Sequence, residues 1–205
     1  MSRFTDCDND SENWALDMGR WEHNARVALK GRRGRKALAE LREALMALPE
    51  HRLIEGALCT VGADQRRAAL AAEAIKLNAQ HPGWHFPQLD EAADLARHVE
   101  RNGEGVCAIG AYLWYRKVKA GINPAEAFAS LPTVHGSEDG NGLDWTARLG
   151  EADGLTFTLA WELAYRNDER LRDCTAEERH ARFVRWIDSE LSEPASAMTT
   201  PPGAP

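Results

Sequence analysis

Residues 21–59 read WEHNARVALKGRRGRKALAELREALMALPEHRLIEGALC, and this stretch decides the fold. Four leucines follow one another at steps of three, four and three residues: Leu38, Leu41, Leu45 and Leu48. This spacing places them along one face of an α-helix, which has to pack against other elements to leave water. Pro49 ends the helix, because proline lacks the amide hydrogen that a helix interior needs.

Two later segments are apolar on nearly all sides, as is typical of central helices. They span 105–119 and 155–165, and we expect them to pack against each other. The short apolar run at 51–61 is compatible with a strand or with a buried helical turn. The sequence therefore predicts a mainly α fold, which is a single helical domain with central apolar helices and at most a small strand pair.

Several helix starts are also visible in the sequence. Thr175 and Glu178 form a capping box, in which each side chain satisfies the other's free backbone amide. Asn123 caps a short helix that has Pro124 at its first position. Asp64 is the expected cap of an alanine-rich helix.

The N-terminal part is expected to form two helices in succession. Ser11 caps a first short helix that runs through Met18. A second helix spans Trp21–Lys30, and Gly31 ends it, as glycine commonly does at helix ends.

The two ends of the chain differ in composition from the middle. Residues 1–11 are acidic and polar, and 192–205 read SEPASAMTTPPGAP. Neither segment can bury much apolar surface, so we expect a flexible lead and a disordered tail. The helical domain between them spans 12–191.

The composition excludes several classes of protein. The chain begins without the basic start and apolar run of a signal peptide, and its longest apolar runs are too short to span a bilayer. Its four cysteines are scattered without a CxxC pair. We therefore expect free thiols in a cytoplasmic protein, with Cys59 and Cys107 buried, rather than a disulfide framework.

The charge of −7 is distributed unevenly. Between Arg20 and Arg42, eight basic residues stand against two acidic ones, so this segment carries about +6 and the remainder about −13. Five of the eight lie in or beside the sequence GRRGRK: Lys30, Arg32, Arg33, Arg35 and Lys36. An acidic chain with one basic segment can bind an anion there without coating itself with nucleic acid.

These five residues, hereafter the basic segment, are the predicted binding site. Glycines let a backbone approach a phosphate closely, and the helix that follows offers free amides with guanidiniums alongside. The expected partner is a nucleic acid or an acidic protein surface. The alternative is a solvated basic turn that only joins two helices. No aromatic residue except Trp21 is interleaved with these cations, so the sequence supports base stacking poorly.

Four stretches of the sequence resemble a group of small uncharacterised proteins of tailed phages and prophages. They are GRRGRKALAELREALMALPEHRLIEGALC, GVCAIGA, LAWELAYRND and TAEERHARFVRW, in that order, and together they cover about half of the chain. The resemblance implies a phage or prophage origin and a place in the host cytoplasm. It implies no activity.

The chain departs from that pattern between Cys59 and Gly105, where a much shorter link is expected. The extra residues, at about 62–103, read as a helical insertion with a loop at HPGWHFPQLD and a second helix beginning near Leu89. An insertion that brings its own helices is usually a lid or a binding feature.

The sequence also offers a few candidates for catalytic or metal-binding residues. Cys107 stands at a helix start, where the dipole lowers a thiol pKa, although its apolar neighbours favour an inert packed thiol. Asn167 and Asp168 follow an apolar helix and can either orient a catalytic base or tie down a loop. His81 and His85 are four residues apart, but Pro82-Gly83 between them prevents a regular helix, so we expect no metal site.

No P-loop, GxGxxG or GxSxG motif occurs, and we expect no cofactor. The leading hypothesis is a phage accessory protein that binds a nucleic acid or a host protein through the basic segment, without catalysis. The alternatives are a small enzyme whose Cys- or Asp-based cleft is covered by the insertion, and a structural or assembly component. The sequence leaves the oligomeric state open.

Overall fold

The computed structural model describes residues 11–55, 58–132, 147–151, 153–168 and 174–193. Its helices are α1 (Ser11–Lys30), α2 (Arg32–Ala47), α3 (Ala63–Gln80), α4 (Pro87–Asn102), α5 (Ala108–Lys119), α6 (Pro124–Ala129), α7 (Phe157–Asp168) and α8 (Ala176–Ser192). Pro49–His51 adds one 3-10 turn, and residues 147–151 are also helical. No β-strand occurs in these ranges, which confirms the predicted mainly α fold.

Helix α1 corrects the predicted N-terminal helices. The break expected between Met18 and Trp21 is wrong, because one helix runs without interruption from Ser11 to Lys30. A single glycine inside a helix, here Gly19, costs only about 1 kcal/mol relative to alanine and does not end it. The helix stops at Gly31, as predicted, and Gly31 then serves as the N-cap of α2.

Helix α2 is the centre of the fold. Leu41 and Leu45 are fully buried and Leu38 almost so, which confirms the predicted leucine stripe. The helix packs against α1, α5 and α8, so its apolar face meets three neighbours. Burying one leucine in this way contributes roughly 1.5–3 kcal/mol.

Gly34 sets how closely α1 and α2 approach each other. A Cβ built at Gly34 would overlap the Ala28 carbonyl oxygen and lie 2.9 Å from the Leu29 carbonyl oxygen. Only glycine allows two backbones to pass at this distance. The second glycine of GRRGRK therefore serves helix packing.

Helices α5 and α7 form the interior, as predicted. All residues of α5 from Ala108 to Trp114 are buried, and α5 contacts α2, α6 and α7. Helix α8 covers this core with Phe183 and Ile187, both fully buried. Its N-terminus shows the predicted capping box, with Thr175 Oγ1 accepting from the Glu178 amide at 3.2 Å.

The ambiguous run at 51–61 is neither a helix nor a regular strand. Its backbone meets the segment before α5 through isolated bridges, Leu53 and Cys59 each pairing with Val106. The Ile54 amide donates to the Val106 carbonyl at 3.0 Å, and the Cys107 amide donates to the Leu58 carbonyl at 3.0 Å. The predicted small strand pair is therefore reduced to two bridges.

Helices α3 and α4 form a hairpin that lies within the predicted insertion at about 62–103. Each contacts the other more than it contacts any further helix. The two ends of the hairpin meet at Thr60, whose hydroxyl donates to the Gly103 carbonyl at 3.0 Å. The Gly105 amide donates a hydrogen bond to the same hydroxyl at 2.9 Å. The chain therefore enters and leaves the hairpin at one place.

Three details of the hairpin differ from the prediction. Asp64 is not the cap of α3; the N-cap is Gly62, whose φ of 70° suits glycine. Pro87 belongs to the first turn of α4, because a proline at the first helical position gives up no hydrogen bond. Leu89, expected on the inner face, is half-exposed, and Leu95 is the fully buried residue of α4.

Two predictions lie mostly outside the described residues: the flexible lead at 1–11 and the tail at 192–205. The short helix α6 begins as predicted, with Asn123 as cap and Pro124 first. In the described part of the chain, no helix is both long and apolar enough to cross a bilayer.

Candidate functional site

The basic segment lies where α1 ends and α2 begins, and it is helical rather than a glycine-rich loop. Only Gly31 separates the two helices, and α2 already includes Arg32. The segment therefore lies at the N-terminal end of α2, where amides without intrahelical partners give a partial positive charge.

Two of its five cations fix the C-terminal end of α8. Arg35 donates to the carbonyl oxygens of Leu191 and Glu193 at 2.6 and 2.7 Å. These are carbonyls that the last turn of a helix leaves without partners. Lys30 forms an ion pair with Glu193 at 2.8 Å, and this contact lowers the pKa of the Glu193 carboxyl. Lys30 and Arg35 are thus already engaged within the fold.

The other three cations face solvent. Arg32, Arg33 and Lys36 are all exposed, and no ion pair links any of them to a described residue. They occupy the first two turns of α2, away from the buried face of that helix. The structure therefore divides the basic segment into an internal pair and an exposed trio.

A cavity of about 420 Å³ opens next to the segment, between α1, α7 and α8. Along α1 it extends from Trp21 to Lys30, which corresponds to about 13 Å at the rise of an α-helix. Its floor is apolar, with the buried side chains of Ala25 and Leu29. Its Lys30 end lies one helix junction away from Arg32.

Aromatic rings surround the opposite end of the cavity. The rings of Trp21 and Trp161 meet edge to face at 4.4 Å, and Trp161 stacks on Tyr165 at 5.2 Å. Both Trp21 and Tyr165 line the cavity. Such pairs hold their rings in fixed orientations, which makes a rigid wall.

Arg166 provides a second flat wall. Its guanidinium carbon lies 4.2 Å from the centroid of the Trp186 ring, and Nη2 and Nε both donate to Glu162 Oε1, at 2.9 and 3.2 Å. Glu162 is itself buried and lines the cavity. The guanidinium is held in place on one side by a ring and in its plane by a carboxylate.

Cys107 is placed as predicted at a helix start, but its environment is closed. It is the N-cap of α5, and its Sγ accepts from the Gly110 amide at 3.4 Å. Burial, together with the charge of Asp168, raises the pKa of the thiol to about 12. A thiol that stays protonated at neutral pH is a poor nucleophile, so this geometry matches the packed-thiol interpretation.

Asn167 and Asp168 end α7 and hold the segment beside it. Asn167 is fully buried, and its Nδ2 donates to the Ile54 carbonyl at 2.8 Å and to Asp168 Oδ1 at 2.6 Å. These contacts fix the backbone of the run before α3, as the tie-down interpretation predicts. The charge of Asp168 also acts on the Cys107 thiol.

The histidines of the hairpin loop make separate local contacts. His81 stacks on Trp84 with ring centroids 4.7 Å apart, and His85 pairs with Asp90 at 2.7 Å. Among the described residues, no group of three or more His, Cys, Asp or Glu side chains is arranged to hold a metal ion.

The exposed surface of the hairpin is partly apolar. Ile75, Trp84 and Leu89 are each more than half exposed. The base of the hairpin is held to the body by Arg66, which donates to the carbonyls of Phe128 and Leu131 at 2.5 and 3.1 Å.

Sequence reasoning proposed all five cations of the basic segment as one site; it did not separate the exposed trio from the internal pair, and it missed the cavity. Trp21 was noted only as an isolated aromatic residue, whereas the fold brings it beside Tyr165 and Arg166. One signal was present in the sequence: Trp161, Glu162, Tyr165 and Arg166 fall within six residues, at spacings that share a helix face. No family model, curated protein or solved structure matches the chain. Its function has to be inferred from this surface and cavity.

Proposed function

We propose that this protein is a phage or prophage accessory protein that binds nucleic acid in the host cytoplasm through Arg32, Arg33 and Lys36. The observation that supports the proposal is the division of the basic segment. Two cations hold α8, while three project into solvent at a helix N-terminus in a chain whose net charge is −7. No contact within the described fold accounts for those three.

Phosphate is the chemistry that fits this arrangement best. Guanidiniums donate two parallel hydrogen bonds to phosphate oxygens, and the partial positive charge of the α2 N-terminus adds to their attraction. Contacts of this kind hold a nucleic-acid backbone without reading its sequence. The acidic remainder of the chain repels the backbone elsewhere and so limits binding to this end of the molecule.

The test is a salt series with a charge-matched control. The protein, its Arg32→Ala/Arg33→Ala/Lys36→Ala variant and an Arg67→Ala/Lys76→Ala/Arg97→Ala variant are titrated into labelled DNA and RNA. The two variants lose the same charge, but the second loses it from exposed positions of the hairpin. A plot of log K against log salt concentration falls with a negative slope. We expect the first variant to make this slope shallower by roughly 3, at about one unit for each phosphate contact that is lost.

The hairpin variant should keep the slope of the unchanged protein. An equal change of the salt slope in both variants would mean that binding depends on the net charge of the protein and not on the position of the cations. Salt-dependent binding to an acidic protein but not to DNA or RNA would assign the trio to a protein partner. Binding that does not respond to salt would refute the proposal.

A role in assembly is the second candidate, because the hairpin exposes Ile75, Trp84 and Leu89. Large exposed apolar side chains commonly mark contacts with other proteins where they form a patch. A sedimentation measurement decides this: a monomer at high concentration argues against self-assembly. For the enzyme alternative, the buried Cys107 thiol is a poor nucleophile.

A further inference from the structure

We infer that the cavity between α1, α7 and α8 receives one base of a single-stranded nucleic acid. The inference rests on the proposed function and deepens it, because it names the class of nucleic acid and a second contact. The exposed trio holds the backbone, and the cavity holds a base that has left its stack.

The walls of the cavity are suited to a flat ring. Trp21 and Tyr165 present aromatic surface, and Trp21 is fixed by its contact with Trp161 at 4.4 Å. Arg166 already has one face of its guanidinium against Trp186, and it also lines the cavity. Aromatic rings and arginine planes are the groups on which proteins stack unpaired bases.

The size of the cavity also matches. A volume of about 420 Å³ falls in the range of pockets that bind small organic ligands. Ala25 and Leu29 close the bottom of the cavity but are already buried, so the rings of Trp21 and Tyr165 and the plane of Arg166 provide the surface for a base. A duplex cannot supply such a base without breaking a pair, whereas a single strand can.

Two of the four acidic side chains that line the cavity form ion pairs. Glu193 pairs with Lys30, and Glu162 pairs with Arg166. Glu190 accepts from Trp186 Nε1 at 2.9 Å. Glu22 remains at the Trp21 end, where a carboxylate can accept from the exocyclic amino group of a base.

The geometry also joins the cavity to the exposed trio. Arg26 is exposed, lines the cavity and follows Trp21 by five residues, or about 7.5 Å along α1. Arg32 and Arg33 continue from the Lys30 end. Along the chain, Arg26 and Lys30 therefore stand between Trp21 and the trio.

The experiment compares three ligands of equal length: a labelled single-stranded oligonucleotide, the same strand with abasic sites, and a duplex. They are titrated against the unchanged protein, Trp21→Leu and Trp21→Phe. We expect the base-bearing strand to bind about fivefold to a hundredfold more tightly than the abasic strand, as for one stacked base. Trp21→Phe should keep most of this preference, because it keeps a ring, and Trp21→Leu should lose it.

The outcomes separate the two proposals. Salt-dependent binding with no difference between base-bearing and abasic strands overturns the base site and leaves the proposed function intact. A preference for bases that survives removal of Arg32, Arg33 and Lys36, with an unchanged salt slope, supports the base site and refutes the role of the trio. Because the comparison of strands uses the unchanged protein, a variant that fails to fold does not affect it. If no strand binds, both proposals fail.

Discussion

Replacing Arg35 by methionine tests whether the basic segment really has two parts. Methionine keeps an unbranched apolar stem of similar length and removes every donor. The carbonyl oxygens of Leu191 and Glu193, now bonded at 2.6 and 2.7 Å, then lose their partner at the end of α8. We expect the protein to be less stable and the last turn of α8 to open more often.

The magnitude follows from these two contacts. A hydrogen bond that involves a charged group contributes about 1.5–3 kcal/mol when buried. Both bonds here are partly or fully exposed, so about half of that value applies to each, and the 3.4 Å contact to the Glu190 carbonyl adds little. The free energy of unfolding should therefore fall by about 2 kcal/mol. For a chain of this length, that lowers Tm by roughly 4–8 °C.

The assay is urea unfolding, with hydrogen exchange at the end of α8 as a local measurement. Arg32→Met is the matched control, since it removes the same charge three residues away from an exposed position, and it should change stability by less than about 0.5 kcal/mol. Arg35→Lys should fall between them, because one ammonium cannot bridge two carbonyls as a guanidinium does. Equal effects of Arg32→Met and Arg35→Met would refute the division of the segment.

Three further predictions concern packing, reactivity and pH. Gly34→Ala should lower the free energy of unfolding by roughly 1–3 kcal/mol, because a methyl group meets the α1 backbone, whereas Gly31→Ser should change it little. Cys174, which is half-buried, should react with a thiol reagent at pH 8 in the folded protein, while Cys107 should react only after denaturant is added. Burial lowers the pKa of His180 below 6.5, so the unfolded chain binds the proton more readily and stability should fall as pH drops through about 6.5. Urea titrations at pH 7.5 and 5.5 measure this loss, and His180→Gln, which still offers a donor to the Leu45 carbonyl, should reduce it.

Local sequence patterns predicted the parts of the fold that depend on neighbouring residues. The leucine stripe of α2, the cap of α6 and the capping box of α8 are each set by residues a few positions apart. The continuous α1 was missed because a glycine only weakens a helix, and contacts with α2 and α7 outweigh that cost.

Contacts between distant residues were beyond such patterns. Arg35 and Leu191 are 156 residues apart, and nothing in GRRGRK distinguishes this arginine from Arg32 or Arg33. The cavity likewise forms only where α1, α7 and α8 meet, and only there does the Trp21 ring contact Trp161. The sequence offered a loop tie as one of two roles for Asn167, but the Ile54 carbonyl as its acceptor follows only from the fold.

The way the α3–α4 hairpin joins the body has an evolutionary consequence. Its two ends are held together at Thr60 and its base is attached to the body through Arg66, so the part of the hairpin beyond Arg66 can be lengthened or shortened while the two flanks stay joined. Proteins that share the body can then carry hairpins of different length. The exposed surface of the hairpin can therefore change by mutation while the sequence of the core stays the same.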